Sequence, residues 1–226
     1  MTRTFARWHI WLGWLIAVPL ILWTATGLWM VARPIEEVRG EALRREATAL
    51  PGNLVPVLPK TIPLQTHRVE LAMRLNRPVW IMHTADDIIR TADAATGTAL
   101  PDVDATLARR ISDGALVSPG AVVSVQRFAA DANPIELRRG RPAWRVRYAD
   151  NLHVYVDAQS GAVLAVRTQQ WRWFDLMWGL HIMDLQERED SSHPLLILFA
   201  ALSLIGVLIG TLLLFRRRRA TPPRAS

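Results

Sequence analysis

Three of the six histidines lie beside long apolar segments, and imidazole nitrogen is a common ligand for metals. His9 lies at the start of the first apolar segment, directly after Trp8, while His181 and His193 precede the second. All three are candidate cofactor ligands. The alternative for His9 is an interfacial anchor whose polar edge meets lipid headgroups. The alternative for His181 and His193 is an amphipathic collar that lies on the membrane surface.

Four carboxylates crowd a short stretch just after His181, and together they are a second candidate site. Carboxylate oxygens suit hard cations such as ferric iron or calcium. The alternative is a solvated, charged loop without a ligand. The residues are Asp184, Glu187, Glu189 and Asp190.

Other reactive patterns are missing from the sequence. His67, His83 and His153 fall on predicted strands without metal-ligand spacing, and solvated strand positions explain them. The sequence contains no phosphate-binding glycine loop, no nucleophile elbow and no HExxH helix. It also contains no cysteine, so disulfides and thiolate metal sites are excluded. Hydrolytic and nucleotide-driven chemistry therefore has no recognisable residues in this sequence.

Two segments without charged residues, 8–31 and 195–215, predict transmembrane helices over 8–31 and 194–215. About 20 apolar residues at ~1.5 Å each cross the hydrocarbon layer. The first segment is longer than a signal-peptide core and lacks a following small-x-small site. We therefore expect a retained anchor and not a cleaved signal peptide.

Arginines at both ends of the chain predict its orientation. Arg3 and Arg7 precede the first segment, and five arginines follow the second, so residues 1–7 and 216–226 are expected in the cytoplasm. The two tails hold seven arginines and no acid, which leaves 20 basic and 20 acidic residues between them. The net charge of +7 is thus a topology signal, and no nucleic-acid partner is expected.

Small residues occur at similar depths in the two segments. Gly206 and Gly210 form a small-xxx-small pair, and Gly13 with Ala17 forms another. Such pairs allow close helix packing, here between the two segments of one chain. A homodimer through the Gly206 and Gly210 face is the alternative.

The central part begins with a predicted polar helix over 36–49 and a proline-rich connector, both within residues 32–63. Residues 77–100 then align without a gap with residues 141–164, at an offset of 64 and with nine identities in 24 positions. This similarity predicts a duplicated unit, with copies at 64–101 and 102–170.

Each copy has the pattern of an antiparallel meander. Two strands are followed by an Asp-Ala-x-Thr/Ser-Gly turn, in which Asp bonds the turn backbone and Gly supplies a positive φ. The turn residues are Asp93 and Gly97 in the first copy and Asp157 and Gly161 in the second. A helix over 102–113, capped by Asp102 or Asp104, predicts an α+β domain with a helix on an antiparallel sheet.

The segment HVYVDAQSGAVLAV resembles the end of a PepSY domain, and the first copy resembles a weaker version. The first apolar segment, WHIWLGWLIAVPLILWTATGLW, resembles the opening helix of the PepSY-associated transmembrane family, as does WGLHIMDLQEREDSSHPLL before the second. This resemblance implies a membrane-anchored α+β protein of the bacterial inner membrane. Two transmembrane helices would flank a periplasmic domain of tandem PepSY-like units, with an interfacial amphipathic helix and acidic loop at 171–193.

The resemblance also implies two possible functions. Larger relatives with four helices are associated with iron and siderophore uptake, and some are thought to carry b-type haem and reduce ferri-siderophores. The present chain has only two predicted transmembrane helices. A hydrocarbon core of ~30 Å separates His9 from His181 and His193, so one chain cannot supply both axial ligands from these positions. The first possibility is an accessory protein that binds or regulates a partner in iron uptake. The alternative is a dimeric haem protein, and only then an enzyme.

Overall fold

The computed structural model describes residues 2–219, with side chains for residues 3–215. The side chains of the predicted basic tail, 216–226, lie outside this range. The described chain forms two compact units, one of residues 2–34 and 173–219, the other Ile35–Arg172. The helices are α1 Thr2–Val31, α2 Ile35–Arg39, α3 Ala105–Ala115, α4 Gln169–His181 and α5 Pro194–Arg219. The strands are β1 Thr66–Arg74, β2 Arg77–Thr84, β3 Ile89–Asp93, β4 Ala99–Leu100, β5 Val122–Phe128, β6 Ala143–Tyr148, β7 His153–Asp157 and β8 Val163–Arg167.

Helices α1 and α5 are the two predicted apolar helices, and both are confirmed. Arg3–Val31 has a mean hydropathy of 1.8 and Pro194–Phe215 of 2.7, and each is long enough to cross a bilayer. Pro19 lies inside α1 without ending it. Most apolar side chains point outward, as Trp14 does with 77% of its surface exposed, which suits contact with lipid.

The two apolar helices pack antiparallel through the glycines of α5. A Cβ on Gly206 would lie 3.3 Å from Ile16 Cδ1, and one on Gly210 would lie 2.9 Å from His9 Cε1. A Cβ on Gly13 would meet no atom within 4 Å, so Gly13 does not face the α5 glycines. The glycines of α5 therefore make room for larger side chains of α1.

The Ile35–Arg172 unit holds two four-stranded antiparallel sheets, in the orders β1-β2-β3-β4 and β5-β6-β7-β8. The predicted α+β class is confirmed. Helix α3 packs on the second sheet, where Ile111 and Leu116 join the buried core. The Asp104 carboxylate accepts the Leu107 N–H at 2.7 Å and caps α3, as one of the two predicted caps. The strand residues of this core are Val146, Tyr148, Val154, Val156 and Val166.

The predicted helix over 36–49 is shorter in the structure. Helix α2 ends at Arg39 because Gly40 takes a left-handed conformation with φ of 64°. A single 3-10 turn follows at Glu41–Leu43, and Arg44 then pairs with Leu116 in an isolated antiparallel bridge. Residues 45–65 run without helix or strand, and from Pro51 to Pro63 this is the extended connector that the prolines predict.

The turn between β7 and β8 is built around a buried carboxylate. Asp157 has only 1% of its side chain exposed, and its Oδ2 accepts Arg141 Nε at 2.8 Å. Its Oδ1 accepts the backbone N–H groups of Gln159 at 2.9 Å and Ser160 at 2.7 Å. Gly161 closes the turn with φ of 78°, a conformation that strains other residues.

The turn between β3 and β4 makes the same contacts 64 residues earlier. Arg77 Nε lies 2.9 Å from Asp93 Oδ2, and Asp93 Oδ1 accepts the N–H groups of Ala95 and Thr96. Gly97 has φ of 67°. The predicted turn residues of both copies therefore occupy matching places in the two sheets.

Replacing Asp157 by alanine is expected to lower the free energy of unfolding by about 3 kcal/mol or more. The change removes a buried carboxylate, leaves two turn N–H groups without their acceptor and leaves Arg141 without its anion. Chemical unfolding of the full chain in detergent, followed by tryptophan fluorescence, measures the loss. Asp86→Ala, at an exposed turn carboxylate, is the matched control. Equal unfolding midpoints for the two variants would contradict this role of Asp157.

Candidate functional site

His181 is held against α1 by its Nδ1 atom and by its ring. Nδ1 lies 3.1 Å from Thr26 Oγ1 and 3.1 Å from the Trp23 carbonyl oxygen. The imidazole stacks on the Trp23 ring, with centroids 5.2 Å apart and planes at 20°. Gly27 allows this approach, because a Cβ there would lie 3.0 Å from His181 Cε1.

The two neighbours of His181 Nδ1 define where its proton lies. The Thr26 hydroxyl donates to the Leu22 carbonyl at 2.8 Å, so Thr26 Oγ1 can only accept from the imidazole. The Trp23 carbonyl is also an acceptor. Neutral His181 therefore carries its proton on Nδ1 and the lone pair on Nε2. A histidine that donates through one nitrogen to a fixed oxygen is oriented to bind a metal through the other.

The structure does not bring His9 into this arrangement. His9 precedes Trp23 by 14 residues on α1, which places it about 21 Å away along the helix axis. His9 lies instead beside Gly210 of α5, and its Nδ1 is buried without a hydrogen-bond partner. The Nδ1 atom of His193 is likewise buried without a partner.

The space beside Trp23 does not fit a haem within one chain. An apolar cavity of about 120 Å³ lies there, below the roughly 300–1,000 Å³ of ordinary small-molecule sites. The distance from His9 to Trp23 also prevents His9 and His181 from ligating one iron. The cavity is lined by Pro19, Leu20, Trp23, Met183, Leu196, Phe199, Ala200 and Ser203.

In the acidic loop, the Asp184 carboxylate is used by the loop itself. Its Oδ1 accepts the N–H groups of Gln186 and Glu187 at 3.1 Å, and its Oδ2 accepts those of Glu189 at 3.2 Å and Asp190 at 3.3 Å. Burial favours the neutral acid, but the four N–H donors outweigh it and lower the pKa of Asp184. Within residues 2–219, no group of three or more His, Cys, Asp or Glu side chains is placed to hold a metal.

The same loop folds back on α4. Arg188 Nη1 lies 2.6 Å from Asp175 Oδ2, and Trp178 Nε1 donates to the Arg188 carbonyl at 3.0 Å. A Cβ on Gly179 would lie 2.9 Å from the Asp184 carbonyl oxygen, so the loop needs glycine at this position. These contacts describe a compact structural loop.

Glu136 is a polar hub that the sequence reading missed. One carboxylate oxygen contacts His153 Nδ1 at 2.8 Å and the Tyr155 hydroxyl at 2.9 Å, and the other accepts Arg172 Nε at 2.7 Å. Arg167 Nε donates to the Glu136 carbonyl at 2.8 Å. Burial opposes ionisation, yet hydrogen bonds from His153, Arg172 and Tyr155 lower the pKa of Glu136 to about 2. The expectation of a solvated His153 is therefore wrong, because this ring is largely buried against Glu136.

A cleft of about 290 Å³ lies where the end of β1 meets α3 and β8, and sequence reading missed this site too. Arg44 and Arg45 line its exposed side, and Arg74 reaches it from β1. The cleft combines positive charge with apolar walls, which is the composition of many binding sites for small molecules. No local motif indicates it, because its three arginines come from segments about 30 residues apart.

The family model for the PepSY-associated TM region matches residues 6–226 of the chain. No curated protein and no solved structure matches it. The family match covers both apolar helices and the two sheets between them.

The Glu136 hub predicts a loss of stability in acid. Because the pKa of Glu136 is lowered from 4.5 to about 2, its contribution is complete above about pH 4.5 and disappears as the pH falls towards 2. The expected loss in unfolding free energy is about 3 kcal/mol.

Glu136→Gln should show that loss already at pH 7 and a flatter dependence on pH below 4.5. Unfolding of the full chain, followed by near-ultraviolet circular dichroism from pH 7 to pH 2, measures both effects. Asp131→Asn, at an exposed carboxylate in the same loop, is the control. Parallel pH curves for wild type and Glu136→Gln would contradict the assignment.

Proposed function

The chain belongs to the PepSY-associated transmembrane family, and from this premise we propose that it is an accessory protein of the bacterial inner membrane that serves iron or siderophore uptake. Its two apolar helices anchor a domain that binds or regulates a partner outside the cytosol. The arginines that flank the helices support cytoplasmic termini and a periplasmic central domain.

In this proposal the central domain consists of two PepSY-like units, residues 64–101 and 102–170. The nine identities at an offset of 64 and the matching turn contacts support a common origin of the two sheets. A further likeness is the tryptophan of each unit: Trp80 Nε1 donates to the Val57 carbonyl at 2.8 Å, and Trp144 Nε1 to the Val103 carbonyl at 2.7 Å.

The observation that carries the proposal is the cleft at the end of β1. It lies where the β1–β2 hairpin of the first sheet reaches α3 and β8 of the second. Both PepSY-like units therefore contribute to one concave surface, as a binding module requires. Residues 44–48, which follow α2 and the 3-10 turn in the chain, form its exposed rim.

Photo-crosslinking in intact cells tests the proposal. A photoreactive amino acid at Thr48, on the exposed rim, should give a specific adduct, because the partner or ligand occupies the cleft. The adduct should increase in iron-limited cells, because the protein serves iron or siderophore uptake. The same residue placed at Val123, which is 58% exposed on β5 and outside the cleft, is the control. Adducts that are absent at Thr48, or the same at both positions, would contradict the proposal.

The second candidate function is a dimer that binds b-type haem, and His181 is the observation that favours it. Its fixed Nδ1 donor leaves Nε2 ready to ligate iron, and a second chain would have to supply the other ligand. Haem would supply one-electron chemistry to such a dimer.

Protein purified in mild detergent from haem-replete cells should then show a Soret band that shifts on reduction with dithionite. His181→Ala should weaken the band, because the axial nitrogen is lost, whereas His67→Ala, on an exposed strand position, should leave it unchanged. A colourless preparation, or equal bands in both variants, would exclude this function.

A further inference from the structure

Arg74 is a half-buried cation whose charge is not balanced by a partner in the described chain. It lies opposite Arg77 in the β1–β2 pair, and Arg77 is the arginine that binds Asp93, at 2.9 Å. The Nη1 atom of Arg74 is buried without a hydrogen-bond partner. Burial lowers the pKa of the Arg74 guanidinium, the nearby Arg77 lowers it further, and Asp93 offsets only part of the effect. An unpaired cation in this position is costly, so the site favours an anion.

The end of β1 packs closely against two glycines, one beside Arg74 and one beside Leu75. A Cβ on Gly161 would lie 2.7 Å from Arg74 Cδ and 3.0 Å from Ile111 Cδ1, and a Cβ on Gly114 would lie 2.7 Å from Leu75 Cδ2. The end of β1 therefore fits closely between α3 and the β7–β8 turn. The Arg74 Cδ atom packs beside Gly161, which restricts the rotamers of the side chain and so reduces the entropy lost on binding.

The walls of the cleft indicate what kind of anion fits. Arg44 and Arg45 add two exposed cations at the rim, against the single carboxylate of Glu46. Leu75, Ile111 and other aliphatic side chains line the interior. A volume of about 290 Å³ is near the lower end of the roughly 300–1,000 Å³ of small-molecule sites.

We propose that this cleft binds a small organic carboxylate, with its oxygens on the Arg74 guanidinium and its apolar body against Leu75 and Ile111. The planar guanidinium matches the geometry of a carboxylate, and charge-assisted hydrogen bonds are stronger than neutral ones. Inorganic phosphate would leave the aliphatic walls without a partner. The inference rests on the proposed function and deepens it, since it names the class of ligand that the binding module recognises.

Fluorine NMR of 4-fluorobenzoate with the full chain in detergent tests this inference. The ligand resonance should broaden with wild-type protein. Arg74→Gln should weaken binding by at least about tenfold, because a charge-assisted hydrogen bond to the carboxylate is lost. The neutral 4-fluorobenzamide should bind wild type about tenfold more weakly than the acid does.

The matched control is Arg68→Gln, on the same strand and outside the cleft, where Arg68 is exposed and pairs with Glu70 at 2.7 Å. It should bind like wild type, and it also accounts for partition of the probe into the detergent. Should Arg74→Gln lose its near-ultraviolet circular dichroism, the comparison is made with Arg44→Gln at the exposed rim, which should weaken binding severalfold.

Equal binding by wild type and these variants, equal binding of acid and amide, or displacement by phosphate as readily as by benzoate would each overturn the inference. If 4-fluorobenzoate fails to bind while crosslinking at Thr48 still gives a specific adduct, only the ligand class is wrong. If it binds and the adduct is absent, the ligand class stands and the proposed function is wrong.

Discussion

The last turn of each sheet is built around a buried aspartate. Its carboxylate accepts hydrogen bonds from two turn N–H groups and from an arginine guanidinium. Asp157 is 1% exposed, so the oxygens of its buried carboxylate depend on Arg141 and on the turn backbone for hydrogen bonds, and the three must form together. This turn also places Gly161 beside Arg74. The geometry of the cleft therefore depends on a carboxylate that does not line it.

The parts of the structure that could be predicted from the sequence are those encoded within a few residues. Runs without charge gave the two apolar helices, and the Asp-to-Gly spacing gave both turns because only glycine adopts the required positive φ without strain. The cap of α3 followed from an aspartate three residues before its N–H donor. Where a single glycine ended an element early, as Gly40 ends α2, composition alone misled the prediction.

The parts that could not be predicted depend on partners far apart in the chain. Glu136 binds side chains 17 and 36 residues later, and His181 is oriented by a threonine 155 residues earlier. The role of Arg74 could not be predicted either. The nearby carboxylate of Asp93 pairs with Arg77, which leaves Arg74 Nη1 without a hydrogen-bond partner. Such features depend on how the elements pack, and no spacing in the sequence reports them.

The connector before the first sheet is more than a spacer. Val57 donates its N–H to the Ala94 carbonyl at 2.8 Å, Lys60 donates to the Gly97 carbonyl at 2.8 Å, and a side chain on Gly97 would overlap the Leu58 carbonyl. In the second sheet, Val103 makes the corresponding bond to the Ala158 carbonyl at 2.8 Å. Each of these hydrogen-bonded segments precedes its sheet in the chain. During vectorial synthesis the segment therefore emerges before its sheet, and it can bond to the last turn as soon as that turn is made.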